Sequence, residues 1–246
     1  MTEYFLFFQY TIYNYFFKNL FEQFRRIANF YFLIIAIIQL SIDSPISPWT
    51  SVLPLIFVIG VTAIKQGYED WKRHREDNKV NNAPAKILRD GEFKDVRTQD
   101  IMVGDIVEVS VEESFPCDLL LILSTDCERK CDVTTANLDG ETNLKTFLCP
   151  DQTQHLESVD DLWSFRALVE CELPHAKLYD FKGRLDVYRG NSEPSKASLS
   201  TENLLLRGAR LKNTSKIHGV AIYTGEETKM ALNTKMTSNK FSVVEK

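Results

Sequence analysis

Two uncharged apolar runs near the N-terminus limit the folds open to this chain. One is FYFLIIAIIQLSI at residues 30–42, and the other is VLPLIFVIGVTAI at residues 52–64. A membrane-spanning helix needs about 20 largely apolar residues, and each run is shorter than that. A pair of helices buried in a soluble core is therefore the alternative to a pair of membrane spans.

The charges that flank the two runs favour the membrane. Basic residues stand before the first run and after the second, namely Lys18, Arg25, Arg26, Lys65, Lys72, Arg73 and Arg75. The connector at residues 43–50 contains no Lys or Arg. This asymmetry is typical of a transmembrane helical hairpin whose two ends lie in the cytosol.

The segments around the hairpin extend this prediction to residues 1–80. The aromatic and basic stretch before residue 27 is typical of a segment lying on the inner leaflet. After the second run, oppositely charged residues four apart, such as Lys65 and Glu69, predict a helical stalk that continues into the cytosol and ends before Pro84. Gln39 interrupts the first apolar run, and such a residue either bonds a neighbouring helix or contacts a polar substrate.

The sequence pattern changes at about residue 81, and the pattern of residues 81–235 predicts a mainly β domain. Short β-rich runs alternate with turn residues, as at 85–96, 105–111, 118–125, 130–138, 167–173, 184–189, 203–211 and 219–224. The polar stretches 151–161 and 189–202 are expected to be surface loops. The fold class is therefore α+β, with a helical membrane hairpin and a β domain in the cytosol.

Composition excludes several functions. The net charge is −5, and residues 81–246 hold 21 Lys/Arg against 27 Asp/Glu, which argues against a nucleic-acid partner. The five cysteines contain no CxxC pair, which favours reduced thiols over a disulfide framework. None of the four histidines has metal-ligand spacing with a cysteine, so no metal site is predicted.

The tetrapeptide Asp139-Gly140-Glu141-Thr142 is the candidate for chemistry. It lies between two extended, Thr-rich stretches, so a simple hairpin turn is the alternative to a functional loop. Glycine allows the backbone to approach an anion closely. Glu141 could take a proton from a water beside an electrophilic phosphorus, and the Thr142 hydroxyl could fix the loop.

Four segments of this chain resemble the type IV P-type ATPases, the phospholipid flippases. They are KNLFEQFRRIANFYFLI at 18–34, TAIKQGYEDWKRHREDN at 62–78, DVTTANLDGETNLK at 132–145, and LLLRGARLKNT with VAIYTGEETKMALN at 204–233. Cation-pumping relatives carry TGES where this chain has DGET, so the resemblance favours the lipid branch. It identifies the chain as similar to the family's N-terminal part, with the first two transmembrane helices and the actuator domain.

The resemblance implies a distorted jelly-roll-like actuator domain at 81–235 and, at 236–246, a linker toward a third helix. In the family an aspartate on another domain takes phosphate from ATP, and the actuator loop then hydrolyses the acyl phosphate. By that match the catalytic set is Glu141, which polarises the water, with Gly140, Asp139 and Thr142 shaping the loop. Gln39, and more weakly Ser47 and Thr50, would line a path for lipid.

The same resemblance implies a multi-pass enzyme that moves phospholipid, with aminophospholipid favoured, from the exoplasmic to the cytoplasmic leaflet. The expected location is the plasma membrane or the endosomal and Golgi membranes. The implied partners are the remaining domains of the ATPase and a two-span accessory glycoprotein. Mg²⁺ and ATP would serve the parent enzyme, and no cofactor is expected on this segment.

The sequence lacks the family's DKTGT phosphorylation motif and its nucleotide site. We therefore expect a fragment, a partial gene model or a short isoform of such an enzyme. The alternative is a non-catalytic, membrane-anchored module that regulates or competes with an intact flippase.

Overall fold

The computed structural model describes residues 20–21, 23–25, 27–41, 47, 49–189 and 193–236. The chain forms two compact units, one containing the apolar helices up to residue 79 and the other beginning at residue 80. Most of the predicted interfacial segment, most of the connector at 43–50 and nearly all of the linker at 236–246 lie outside the described residues.

The first unit contains two apolar helices, α1 (Ile27–Ser41) and α2 (Trp49–Asn81). Within the described part of the chain, Val52–Asn81 is the one helical stretch long and apolar enough to cross a membrane, and the apolar stretch Ile27–Gln39 is shorter. Phe57 and Ile64 on α2 are largely exposed, an arrangement that water would disfavour. As predicted, α2 ends before Pro84.

The second unit is mostly β. Its strands are β1 (Pro84–Arg89), β2 (Glu92–Arg97), β3 (Ile106–Ser110), β4 (Asp118–Ser124), β5 (Lys130–Thr134), β6 (Leu144–Leu148), β7 (Ala167–Cys171), β8 (Gly183–Val187), β9 (Ser195–Leu199), β10 (Leu204–Leu205), β11 (Arg210–Lys212) and β12 (Lys216–Tyr223). Its helices are α3 (Ala136–Asp139), α4 (Val159–Ser164) and α5 (Lys229–Met236). The strands form three antiparallel sheets, ordered β10-β4-β12-β3-β1-β2, β11-β5-β6 and β7-β8-β9.

Strand β4 contributes to two apolar clusters of the β domain, and every residue in it is buried. Successive side chains of a strand point to opposite faces of its sheet. Accordingly Leu119 and Leu121 pack in one apolar cluster, whereas Leu120 packs in a second cluster with residues of β8 and β9. This double burial explains the continuous run DLLLILS, in which no polar alternation is seen.

Two expectations about the β domain were wrong. The stretch 189–202 was expected to be a surface loop, but Ser195–Leu199 is strand β9, and its Ala197 and Leu199 are buried. The β-rich run 130–138 is strand only as far as Thr134 and then turns into α3. The stretch 151–161 is partly a loop, although Thr153 and Leu156 are fully buried in it.

Candidate functional site

The DGET tetrapeptide lies in the loop that joins β5 to β6. These strands form an antiparallel pair in which Thr134 faces Leu144, so the connection is a hairpin. Its loop contains the single helical turn α3, which ends at Gly140 with φ of 77°. A Cβ placed on Gly140 would meet nothing within 4 Å. Glycine is therefore favoured here by the left-handed backbone and not by crowding.

Asp139 is the hydrogen-bonded centre of this loop. Its carboxylate accepts bonds from the Thr135 hydroxyl (3.0 Å), the Glu141 amide (3.0 Å), the Lys145 ammonium (2.7 Å) and the Tyr179 hydroxyl. The side chain is only 16% exposed. Both oxygens are engaged, so Asp139 holds the loop in shape and leaves little freedom for proton transfer.

Electrostatics support this structural role for Asp139. Burial alone would raise its pKa, but the bonds from Lys145, Tyr179, the Glu141 amide and Thr135 hold the pKa well below the usual range of an aspartate. Burial likewise opposes the charge on Lys145, yet its bonds to Asp139, Tyr179 and Glu141 raise its pKa. Asp139 therefore stays ionised throughout the physiological range.

Glu141 has a different environment. Its side chain is 60% exposed, and its Oε2 lies 2.9 Å from the Lys145 ammonium. Thr142, next to it, is exposed as well. The loop thus presents Glu141 to solvent while Lys145, shared with Asp139, orients its carboxylate.

Sequence reasoning missed Lys145 and Tyr179 as members of this network. Lys145 follows the tetrapeptide closely, and its spacing of four from Glu141 was a usable signal. Tyr179 is 40 residues from Asp139 in sequence, on the segment between β7 and β8. No sequence pattern links Tyr179 to the loop.

Residues 204–233, the last of the four segments that resemble the family, pack against the loop. Leu138 Cδ2 lies 3.5 Å from the position where a Cβ on Gly208 would stand. The buried carboxylate of Asp118 accepts the backbone N–H of Arg207 (2.8 Å) and that of Lys229 (2.7 Å). These bonds fix the turn after β10 and the start of α5 to the buried strand β4.

The predicted lipid-path residues lie in the helical unit. Gln39 is on α1, and within the described residues no donor reaches its buried Oε1. Thr50 donates its hydroxyl to the Ser47 carbonyl at 2.7 Å, which closes the first turn of α2. In the described part of the helices, no hydrogen bond or ion pair brings Gln39 together with Ser47 or Thr50.

The described residues offer no ligand set for a metal centre. They contain no group of three or more His, Cys, Asp or Glu side chains that could hold a metal ion. The acids of the loop are instead paired with Lys145.

Comparison with known families decides the classification of the β domain. The sequence model of the P-type ATPase actuator domain matches residues 79–238. This chain belongs to the P-type ATPase actuator domain family. A second match, to the N-terminal region of phospholipid-translocating ATPases, covers residues 8–52. The two matches therefore agree with the resemblance, because the N-terminal region of a phospholipid-translocating ATPase precedes the actuator domain along the chain.

Individual relatives of the chain agree with these matches. It is 54% identical over 238 residues to phospholipid-transporting ATPase 11C of Mus musculus, and 53% identical over 238 residues to phospholipid-transporting ATPase IH of Homo sapiens. It is 43% identical over 230 residues to probable phospholipid-transporting ATPase 7 of Arabidopsis thaliana. These alignments cover 97%, 97% and 93% of this chain but only 21%, 21% and 18% of the relatives. This chain thus spans about a fifth of the length of these relatives.

Proposed function

We propose that this chain is the N-terminal part of an ATP-driven phospholipid translocase, and that its DGET loop dephosphorylates the aspartyl-phosphate intermediate formed on another domain. The observation that carries the proposal is the division of the two acids: Asp139 is fully engaged inside the loop, and Glu141 is presented 60% exposed at its surface. A base that acts on a partner domain has to be exposed in this way.

The proposed step uses only residues of this loop and a water. Glu141 accepts a proton from the water, and the water oxygen attacks the phosphorus. The bond between phosphorus and the aspartyl oxygen breaks, and the aspartate leaves as a carboxylate while inorganic phosphate forms. A positioned general base contributes roughly 10²–10⁴-fold, which corresponds to ~3–5 kcal/mol of barrier.

The helical unit supplies the second half of the proposal. Here α1 and α2 form a two-span hairpin, and the jelly-roll-like actuator domain lies in the cytosol. Rotation of that domain opens a route for lipid from the exoplasmic to the cytoplasmic leaflet. A charged headgroup without polar contacts would be far too costly in hydrocarbon. The buried Oε1 of Gln39, which has no donor among the described residues, supports its place on that route, and Ser47 and Thr50 are weaker members.

The remaining features of the enzyme belong to parts beyond this segment. ATP and Mg²⁺ would serve the phosphorylation and nucleotide domains of the parent enzyme, as the resemblance to the family implies. Aminophospholipid as the favoured cargo, a two-span accessory glycoprotein, and residence in the plasma membrane or the endosomal and Golgi membranes complete the proposal. The relatives' names, which specify phospholipid transport, support the cargo class.

The substitution Glu141→Gln in the full-length enzyme tests the loop's role. The amide keeps the size of the side chain but cannot take a proton, so the enzyme should accumulate phosphoenzyme and lose lipid-stimulated ATP turnover. Steady-state phosphoenzyme level and turnover are the two measurements. Glu202→Gln, which removes an exposed carboxylate elsewhere in the domain, should leave both unchanged. Unchanged turnover in Glu141→Gln would refute the assignment.

Gln39→Ala tests the lipid route. Removal of the amide should change the preference among headgroups while the apparent affinity for ATP stays the same. The measurement is ATP turnover in vesicles of single-headgroup composition. An unaltered order of stimulation across headgroups would take Gln39 off the route.

A further inference from the structure

Tyr179 joins the loop network from outside the DGET motif. It lies on the segment of residues 172–182, between β7 and β8. Its hydroxyl donates to Asp139 Oδ2 and accepts a bond from the Lys145 ammonium at 3.1 Å. A phenol has one proton to donate and lone pairs to accept, so a single hydroxyl can make both bonds.

The segment that carries Tyr179 is itself anchored by Lys229. This lysine is fully buried at the start of α5, and its ammonium donates to the Asp180 carbonyl (2.7 Å) and the Lys177 carbonyl (3.3 Å). It also lies 3.7 Å from Glu172 Oε1. Phe181 is buried beside the Tyr223 ring. The backbone on either side of Tyr179 is thus fixed, although its own side chain is half exposed.

We propose that Tyr179 is a positioning residue for the dephosphorylation loop, acting through Asp139 and Lys145 on Glu141. The proposal rests on the function proposed above for Glu141. Lys145 is the only described side chain whose ammonium contacts both loop carboxylates. The tyrosine hydroxyl fixes that ammonium between them by satisfying part of Asp139. Without the hydroxyl, Asp139 keeps one donor fewer and draws Lys145 closer, and Glu141 loses its orientation.

The hydroxyl has to be separated from the ring, because the Tyr179 ring also packs on the Lys145 ammonium, 4.3 Å from its centroid. Tyr179→Phe removes the hydroxyl and retains the ring. Tyr188→Phe is the matched control, since Tyr188 is a comparably exposed tyrosine just after β8. Both variants lose the same atom, on the segments that precede and follow β8.

The experiment measures phosphoenzyme formation and decay separately in the full-length enzyme. Tyr179→Phe should form phosphoenzyme from ATP at the unsubstituted rate and lose it about tenfold more slowly, since hydrogen bonds to charged groups are the stronger ones. Tyr188→Phe should match the unsubstituted enzyme in both steps. In an Asp139→Asn background, Tyr179→Phe should slow decay much less, because coupled residues give non-additive effects.

Any of three decay results would overturn the inference: normal decay in Tyr179→Phe, equal slowing in Tyr188→Phe, or full additivity with Asp139→Asn. Loss of phosphoenzyme formation in Tyr179→Phe would also overturn it, because the hydroxyl would then serve folding. Glu141→Gln, measured in parallel, separates the two claims. Slow decay in Glu141→Gln with normal decay in Tyr179→Phe refutes the inference alone, whereas normal decay in Glu141→Gln refutes the proposed function itself.

Discussion

Asp118 and Asp139 have opposite electrostatic environments, and the difference follows from their donors. Asp139 receives an ammonium and two hydroxyls as well as an amide, and its pKa is lowered in spite of burial. Asp118 is fully buried, and burial raises its pKa to about 6 although the amides of Arg207 and Lys229 bond to it. The charged form of Asp139 is thus stabilised at a surface loop, whereas burial in the core disfavours the charged form of Asp118.

Asp118 gives a prediction for pH. In the folded chain the carboxyl of Asp118 keeps its proton up to pH about 6, whereas in the unfolded chain it loses the proton near the usual aspartate pKa of 3.8. Because the folded state binds the proton more tightly, Asp118 lowers the free energy of unfolding as pH rises through that window, by about 3 kcal/mol. Asp118→Asn should remove this fall.

Denaturant unfolding of the detergent-solubilised chain between pH 4 and pH 7, compared for the two proteins, measures the difference in slope. The side-chain amide that Asp118→Asn introduces would face a backbone N–H, so the variant is expected to be less stable at every pH. The slope and not the absolute stability is therefore the readout, and parallel pH curves would contradict the prediction.

At the scale of elements, the β5–β6 hairpin decides how the loop is presented. The strand pairing sets both ends of the loop, and the helical turn α3 with its left-handed Gly140 directs Glu141 outward. The sequence left a simple hairpin turn and a functional loop as alternatives, and the structure shows a hairpin with an exposed Glu141 on it. The hairpin is seen directly, while the chemical role of its residues stays a prediction.

Gly140→Ala tests this element. Alanine at φ of 77° is strained by roughly 1–2 kcal/mol, so the loop should relax and phosphoenzyme decay should slow severalfold. Gly91→Ala is a matched control, because Gly91 has φ of 83° and equally open surroundings in the β1–β2 turn. Both variants should lose similar thermal stability, and only Gly140→Ala should change decay. Equal decay rates in the two would mean that the loop's backbone angle has no functional part.

For the whole molecule, local sequence patterns predicted the helices and strands better than the contacts between them. The apolar runs, the helix end before Pro84 and most strands follow from hydrophobic periodicity and turn residues. Strand β9 was not predicted, because its exposed positions are Ser and Lys and its two buried residues, Ala197 and Leu199, are too few to show a pattern. The contact of Tyr179 with Asp139 depends on how β7–β8 packs beside β5–β6, which no local pattern records.

The proposed topology makes a prediction for the whole chain in cells. If α1 and α2 form a two-span hairpin, Ser47 faces the exterior and the exposed Cys127 and Cys171 face the cytosol. A membrane-impermeant maleimide should therefore label Ser47→Cys on intact cells. The unsubstituted chain should be labelled only after permeabilisation. Labelling of the unsubstituted chain on intact cells would contradict the orientation.

The most direct test of the central claim is the decay of radiolabelled phosphoenzyme in the Glu141→Gln enzyme after ATP is withdrawn. The aspartate should be labelled normally, and the label should then decay at least about 10²-fold more slowly than in the unsubstituted enzyme, because a general base is lost. Decay of the label at the unsubstituted rate would contradict the claim.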